Sequence, residues 1–413
     1  MKNNLLKTIA CLITLAILWA CASHKNQQPT NGMIYRPLGN TGLEVSEISI
    51  GCGCFEKMDT TQSRLYMNLA IDSGINYIDI YDANPTVRGN IGYALQGRRD
   101  KMIIQGHIGS YWNGDKYERT RDLEKCKEGF SQLLQLLHTD HIEVGMMHIV
   151  DNLEEWNQIL NSPYLDYVKQ LKQEGKIKHI GVSSHNAEVA LAAAKSGIVE
   201  VIMFSLNPAF DRLTSKQNIW DNKSYNNILP GIDPVRIELY DYCATHQIAI
   251  TVMKVFGGGG KLLDAETSPL KVALTPVQCI SYALSKPCVA TAICGADNDQ
   301  ELLSDLHYLY ATEQEKDYNT TLANTNATQT CQGNCTYCNH CSPCPAGIDI
   351  AKVNELLDKA NKEKTVSKDL ANQYKQLQHH ASECTACAAC ESRCPFDVPV
   401  REKMKEAVKT FGY

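Results

Sequence analysis

The sequence has no surplus of basic charge: 40 lysines and arginines stand against 46 aspartates and glutamates, a formal net charge of -6 over 413 residues. Nucleic-acid phosphates would find no electrostatic partner, so a nucleic-acid partner is excluded. Nor is the chain short of apolar residues: 44% are hydrophobic against 21% charged, which excludes disorder and provides for a full core. The apolar run from Ile9 to Ala20, about 12 residues, is too short to span a bilayer comfortably. No twin arginine precedes it, and no internal repeat stands out beyond the cysteine-rich C-terminal stretch.

Cysteine is what the chain has in abundance, with 18 in all and nine of them between Cys331 and Cys394. Tandem two-residue spacings gather thiols around one centre instead of bridging a loop, and so point to metal.

Lys2 and Lys7 precede the apolar run, which ends at Cys21, the pattern of an export signal over residues 1–21. The segment LWAC resembles a bacterial lipobox, which implies an acylated Cys21 and a membrane-anchored lipoprotein facing the periplasm. General export would thread the chain unfolded, whereas iron-sulfur clusters are normally inserted inside the cell. A second reading starts translation at Met33, which would leave the protein cytoplasmic.

Short β-branched runs alternate with amphipathic segments from Val45 onward. This predicts strands at 45–51, 76–81, 101–106, 142–150, 176–184, 200–207, 248–255 and 288–295. Eight strands with helices between them over 33–310 predict an α/β fold, a (β/α)8 TIM barrel with its chemistry at the C-terminal strand ends. Leu123, Phe130, Leu133, Leu134 and Leu137 recur at helical spacing, marking one helix that faces the barrel. Residues 311–330 are polar and read as a linker to a cysteine module at 331–413.

That module contains Cys335-x2-Cys338-x2-Cys341-x2-Cys344-Pro345 and Cys384-x2-Cys387-x2-Cys390-x3-Cys394-Pro395. The pair resembles the two-cluster bacterial ferredoxins, and the forty-residue step between its halves resembles their α-helical type. The resemblance implies two [4Fe-4S] clusters. One is assigned to Cys335, Cys338, Cys341 and Cys394, the other to Cys384, Cys387, Cys390 and Cys344. Four-thiolate zinc is the structural alternative. Two clusters imply one-electron transfer with an electron donor or acceptor.

The segments YRPLGNTGLEVSEISIGCG, GINYIDIY, GKIKHIGVSSHN and VMKVFGGGGKLL resemble the aldo-keto reductase superfamily. That family reduces carbonyls with a nicotinamide cofactor and an Asp, Tyr, Lys, His tetrad. On this sequence the aspartate falls on Asp79 and the histidine on His148, while the tyrosine falls on Asn84 and the lysine on His107. An amide cannot donate a proton to an alkoxide, so His107 is the first substitute acid and Tyr81, on the same strand face as Asp79, the second. Asp79, His107 and His148 also form a candidate two-histidine, one-carboxylate metal site.

The resemblance places Ser183, Ser184, Asn186 and Asn207 at the nicotinamide. Gly258 in the glycine run and Gly295 after the last strand are candidates to approach phosphates. Asp297 and Asp299, without a nearby Arg or Lys, speak against NADPH. Cys52 and Cys54 at the mouth read as small hydrophobes. The expected function is an iron-sulfur oxidoreductase acting on a small-molecule substrate, with NADH or NADPH as a further cofactor, and the replaced tyrosine and lysine imply chemistry other than simple carbonyl reduction. The alternative is an electron carrier whose barrel has lost catalysis.

Overall fold

The computed structural model describes residues 32–217, 219, 228–229, 231–323, 333, 335, 337, 339, 341–362, 366–394 and 397–413. Residues 1–21 with Cys21, and Cys331 and Cys338, lie outside the described residues.

A hairpin of β1 (Tyr35–Pro37) and β2 (Glu44–Ser46) precedes the barrel. Arg36 fastens it by donating to the carbonyls of Leu284 and Val289 at 3.0 and 3.3 Å, while Leu38 packs with inward-facing barrel residues and closes the N-terminal end. The strands that follow are β3 (Ile48–Gly51), β4 (Tyr77–Ile80), β5 (Ile103–Ile108), β6 (Ser110–Asn113), β7 (Lys116–Arg119), β8 (Ile142–Met147), β9 (Ile177–Ser184), β10 (Val201–Ser205), β11 (Ala249–Met253) and β12 (Val289–Cys294). Eight of them, β3 to β5 and β8 to β12, pair in parallel and close a barrel. β6 and β7 form a separate antiparallel hairpin.

Period two along the strands sorts the side chains into two environments. Tyr77, Val144, Met146, Val201 and Met203 cluster inside the barrel, whereas Ile78, Ile80, Ile104 and Ile108 join the outer core beneath the helices. Each fully buried aliphatic side chain there contributes roughly 1.5–3 kcal/mol. Helix packing requires Gly106 on β5, because a Cβ would stand 2.8 Å from both Ile142 Cδ1 and Leu133 Cδ2. Leu133 belongs to the helix Leu123–Leu136, which buries Phe130 and Leu133 as the periodicity predicts and Cys126 besides, while Leu123 and Leu134 are half-buried.

Several strand limits differ from the sequence reading, β5 among them, since it runs over Ile103–Ile108 and carries His107 within the strand. The run 45–51 divides at Glu47, since β2 belongs to the hairpin and β3 to the barrel. β8 stops at Met147 and β11 at Met253, because Ile149 and Lys254 adopt left-handed φ values of 41° and 62° and turn the chain into the mouth. Of the stretch read as a linker, Glu313–Lys316 and Asn319–Ala323 are helical. Leu322 is buried in the barrel core, and Gln278 Nε2 donates to the Asp317 carbonyl and the Thr321 hydroxyl, both at 2.9 Å.

The C-terminal residues build their own apolar cluster, in which Val353, Leu356 and Leu357 of the helix Ile350–Lys362 meet Tyr374 and Met404. Arg393 joins the two cysteine motifs by donating to the Cys341 and Pro343 carbonyls at 2.5 and 2.8 Å. Among the described residues, no helix is long and apolar enough to cross a membrane.

Candidate active site

A cavity of about 940 Å³ opens at the C-terminal strand ends, and Asp79, Tyr81, Asn84, His107, His148, Ser183, Gly258 and Gly295 all contribute to its wall. At its floor lies a line of buried hydrogen bonds. Asp79 projects inward from β4, and its Oδ1 accepts from Gln105 Nε2 at 2.6 Å and lies 2.9 Å from His107 Nε2. Gln105 is held in turn by the Tyr77 and Thr251 hydroxyls at 2.6 and 3.1 Å. His107 and His148 face each other with their Nδ1 atoms 2.7 Å apart and their rings nearly perpendicular.

The far nitrogen of His148, Nε2, stands 2.6 Å from the hydroxyl of Tyr117. Tyr117 belongs to β7, in the hairpin that the sequence reading did not foresee. Arg119 and Arg121 aim it by donating to the His148 and Ile149 carbonyls at 2.6 to 3.0 Å. Both histidines are buried and Tyr117 is 41% exposed, so the line runs from the barrel interior to the open mouth. Burial first, then the neighbouring His107, Arg121 and Arg119, hold the His148 pKa well below the ordinary histidine value. His148 is therefore neutral at pH 7.

This geometry bears on the metal alternative at the barrel. The ring nitrogens meet in direct hydrogen bonds, and among the described residues no three His, Cys, Asp or Glu side chains converge on one point where an ion would sit.

Asn84 caps the helix Pro85–Ala94, accepting from Thr86 N at 2.9 Å, and Tyr81 lines the wall at 44% exposure. Lys254 and His185, which sequence reasoning passed over, also line the cavity. Burial lowers the Lys254 pKa, with Asp79 acting against that shift, and His185 Nδ1 lies 2.9 Å from Asp151. The signal for Lys254 was its place at the end of a barrel strand. Cys54 lines the mouth and Cys52 is buried beside it; burial pushes the Cys54 thiol up to about 12, as in an unreactive cysteine.

The candidate nicotinamide residues divide. Ser183, Gly258 and Gly295 line the cavity, and Ser183 Oγ accepts from Ile149 N at 2.8 Å. Ser184 instead donates to Asp151 at 3.2 Å. Asn186 caps its helix through Glu188 N and Val189 N, and Asn207 holds the Ala209 and Phe210 amides and the Lys254 carbonyl. Around Gly295 the wall is acidic, with the carboxylates of Glu56, Asp297 and Glu301 beside the carboxyl of Asp305, which burial keeps protonated. Lys57, the ammonium beside it, already pairs with Asp297 at 2.6 Å.

In the C-terminal module, Cys344, Cys384, Cys387 and Cys390 line one small cavity with Ile350, Val400 and Met404. Cys335, Cys341 and Cys394 lie at the edge of the same apolar cluster. Tyr337, Asn339, Ala386 and Ala388 in the motif loops have φ between 55° and 62°, which is left-handed for residues with a Cβ. Backbone N–H from Ala389 and the Thr385 hydroxyl hold the Cys387 thiol below its ordinary pKa.

A parallel eight-stranded barrel with buried acid-base groups at its C-terminal mouth defines an α/β barrel with a candidate active site at its strand ends. Residues 47–274 match the model of the Aldo/keto reductase family, and the chain belongs to that family. It is 32% identical over 186 residues, 43% of this chain and 57% of the relative, to the uncharacterized oxidoreductase YqkF of Bacillus subtilis (strain 168). With L-galactose dehydrogenase of Arabidopsis thaliana it shares 26% over 183 residues, 41% and 54% of the two chains. The chain thus spans a little over half the length of these curated relatives. The aldo-keto reductase AKR11C1 from Bacillus halodurans, in its holo form, superposes with a TM-score of 0.56 at 23% identity, covering 71% of this chain and 97% of that one, a likeness of fold.

Proposed function

We propose that this protein reduces a small carbonyl compound at the barrel mouth, with electrons passing singly through two [4Fe-4S] clusters held by the C-terminal cysteines. The observation that carries this reading is the buried line from Asp79 through His107 and His148 to the cavity, a path able to supply a proton where a carbonyl becomes an alcohol.

Cluster binding is supported by the shared cavity of Cys344, Cys384, Cys387 and Cys390, the grouping that the ferredoxin resemblance implies. Among the described residues no three of these thiols converge as a metal site, and the preference for clusters over a single zinc ion rests on the tandem motif spacing. The lowered Cys387 pKa favours the thiolate a ligand must be. When bound, the clusters would supply single electrons. The apolar side chains of Ile350, Val400 and Met404 line the same cavity beside the buried Cys390.

A dinucleotide fits less well. The acidic wall at Gly295 opposes a pyrophosphate, and Ser184, Asn186 and Asn207 have their polar atoms committed elsewhere. For the compartment we propose a lipid anchor at Cys21, tested by mass analysis of the mature N-terminus. An acylated Cys21 supports it and a start at Met33 removes it.

The test of function is an anaerobic titration of reconstituted protein with NADH, NADPH and dithionite, following cofactor fluorescence and iron-sulfur absorbance together. Bleaching by dithionite alone supports redox-active clusters, and alcohol formation when a carbonyl is then added supports reduction at the barrel. Bleaching by NADH or NADPH would restore the nicotinamide, and an absence of reversible bleaching would leave the clusters without a redox role.

A further inference from the structure

The tyrosine expected five residues after Asp79 is an asparagine, yet a phenol reaches the same mouth from a different element. We propose that Tyr117, carried by the β6–β7 hairpin, is the catalytic acid of this barrel, and that the two histidines feed it one proton by reversing the direction of their hydrogen bonds. The proposal rests on the reading that a carbonyl is reduced in this cavity.

The hydrogen-bond directions follow from the acceptor at the end of the line. A carboxylate only accepts, so His107 Nε2 donates to Asp79 in every charge state. With both imidazoles neutral, His107 Nδ1 is bare, and His148 Nδ1–H must donate to it. His148 Nε2 is then bare and accepts the Tyr117 O–H, which points away from the cavity.

One further proton on His107 inverts the set. His107 Nδ1–H donates to His148 Nδ1, His148 carries its hydrogen on Nε2 and donates it to Tyr117 Oη, and the phenol O–H is released toward a substrate oxygen.

The surroundings say where the extra proton rests. His107 faces Asp79 at 2.9 Å with both side chains 1% exposed, and Lys254 approaches Asp79 from β11. His148 instead faces His107 and the cations Arg119 and Arg121, with His185 further along, and burial disfavours its charge. Asp82 and the same two arginines face Tyr117. The store is therefore His107, paired with Asp79.

In the step, the carbonyl takes two electrons from a low-potential one-electron donor of the iron-sulfur kind and a carbon-bound proton from solvent. Its oxygen takes the Tyr117 proton as that O–H bond breaks. Tyr117 Oη takes the proton of His148 Nε2, and His148 Nδ1 takes that of His107 Nδ1. The net transfer is one proton from His107 to the product hydroxyl, with no tyrosinate left behind. Tyr81 also lines the cavity, but among the described residues no hydrogen bond joins its hydroxyl to either histidine.

The test uses the full chain with reconstituted clusters, methyl viologen reduced by titanium(III) citrate as donor, and a panel of aliphatic and aromatic aldehydes and ketones. Tyr117→Phe is expected to lower kcat by about 10²–10⁴-fold with little change in KM. A curved proton inventory in the wild type, with several protons moving together, is the companion result and needs no variant. Tyr117→Phe with the wild-type kcat, or a linear inventory, would overturn the proposal. A wild type inert toward the whole panel, although its clusters accept electrons, would instead remove the carbonyl reading, and this proposal with it.

Discussion

The Nδ1 atoms of His107 and His148 stand 2.7 Å apart in the barrel interior, so one ring must donate to the other and the two cannot both be protonated at that atom. Their protonation states are therefore coupled, and the pair behaves as one acid-base unit. His107→Ala is expected to remove turnover by about 10²-fold or more while leaving the iron content unchanged, because the lesion lies in the barrel. Turnover and iron assays on the same preparation check it, and an unchanged rate would take His107 out of the mechanism.

Cys387→Ala should lose one of the two clusters, with iron falling from about eight to about four per chain and a matching loss of visible absorbance. Barrel folding should be unaffected, since the C-terminal cysteines pack in a cluster of their own. Unchanged iron would refute the ligand set.

Asp211 anchors the barrel away from the site. It accepts from Tyr240 at 2.6 Å, Tyr282 at 2.7 Å and Arg236 at 3.3 Å with its side chain fully buried. Asp211→Ala leaves the Arg236 charge and two hydroxyls without their acceptor, and should cost about 3–5 kcal/mol. The urea midpoint of barrel unfolding measures it; a shift worth under about 1 kcal/mol would contradict this account of the network.

Burial first, then nearby Glu301, pushes Asp305 in the cavity wall up to about 8. Its folded pKa lies above its unfolded value near 3.8, so the folded state holds the proton more tightly. That contribution to stability is fully present below about pH 4 and is lost as pH rises to about 8. Asp305→Asn should raise the thermal midpoint at pH 9 relative to wild type and change it much less at pH 5. Equal effects at the two pH values would show that Asp305 is ionised throughout.

The barrel was legible because most of its eight strands are short apolar runs buried on both faces, a pattern that survives in the sequence without an alignment. Asp79, His107 and His148 were legible for the same reason, since their strand ends could be counted. The β6–β7 hairpin was not: SYWN and KYER are polar and half-exposed, with no alternation to mark them, so Tyr117 stayed hidden inside a charged loop. Asn186 and Asn207 were readable as residues, but whether they face the cavity or cap a turn depends on a backbone path that spacing does not encode. Leu322, a lone apolar residue in a polar stretch, was likewise too weak a signal for the packing it provides.

The most direct test of the account is whether electrons stored in the C-terminal module reach a carbonyl in the barrel. Reconstituted protein reduced with one equivalent of titanium(III) citrate per cluster is mixed anaerobically with the aldehydes and ketones of the panel, and the iron-sulfur absorbance is followed. Recovery of the absorbance together with alcohol formation, fast in the wild type and slowed in His148→Ala, is the predicted result. Clusters that stay reduced in the presence of every carbonyl, while still passing electrons to a dye such as ferricyanide, would contradict it and leave the chain an electron carrier with a silent barrel.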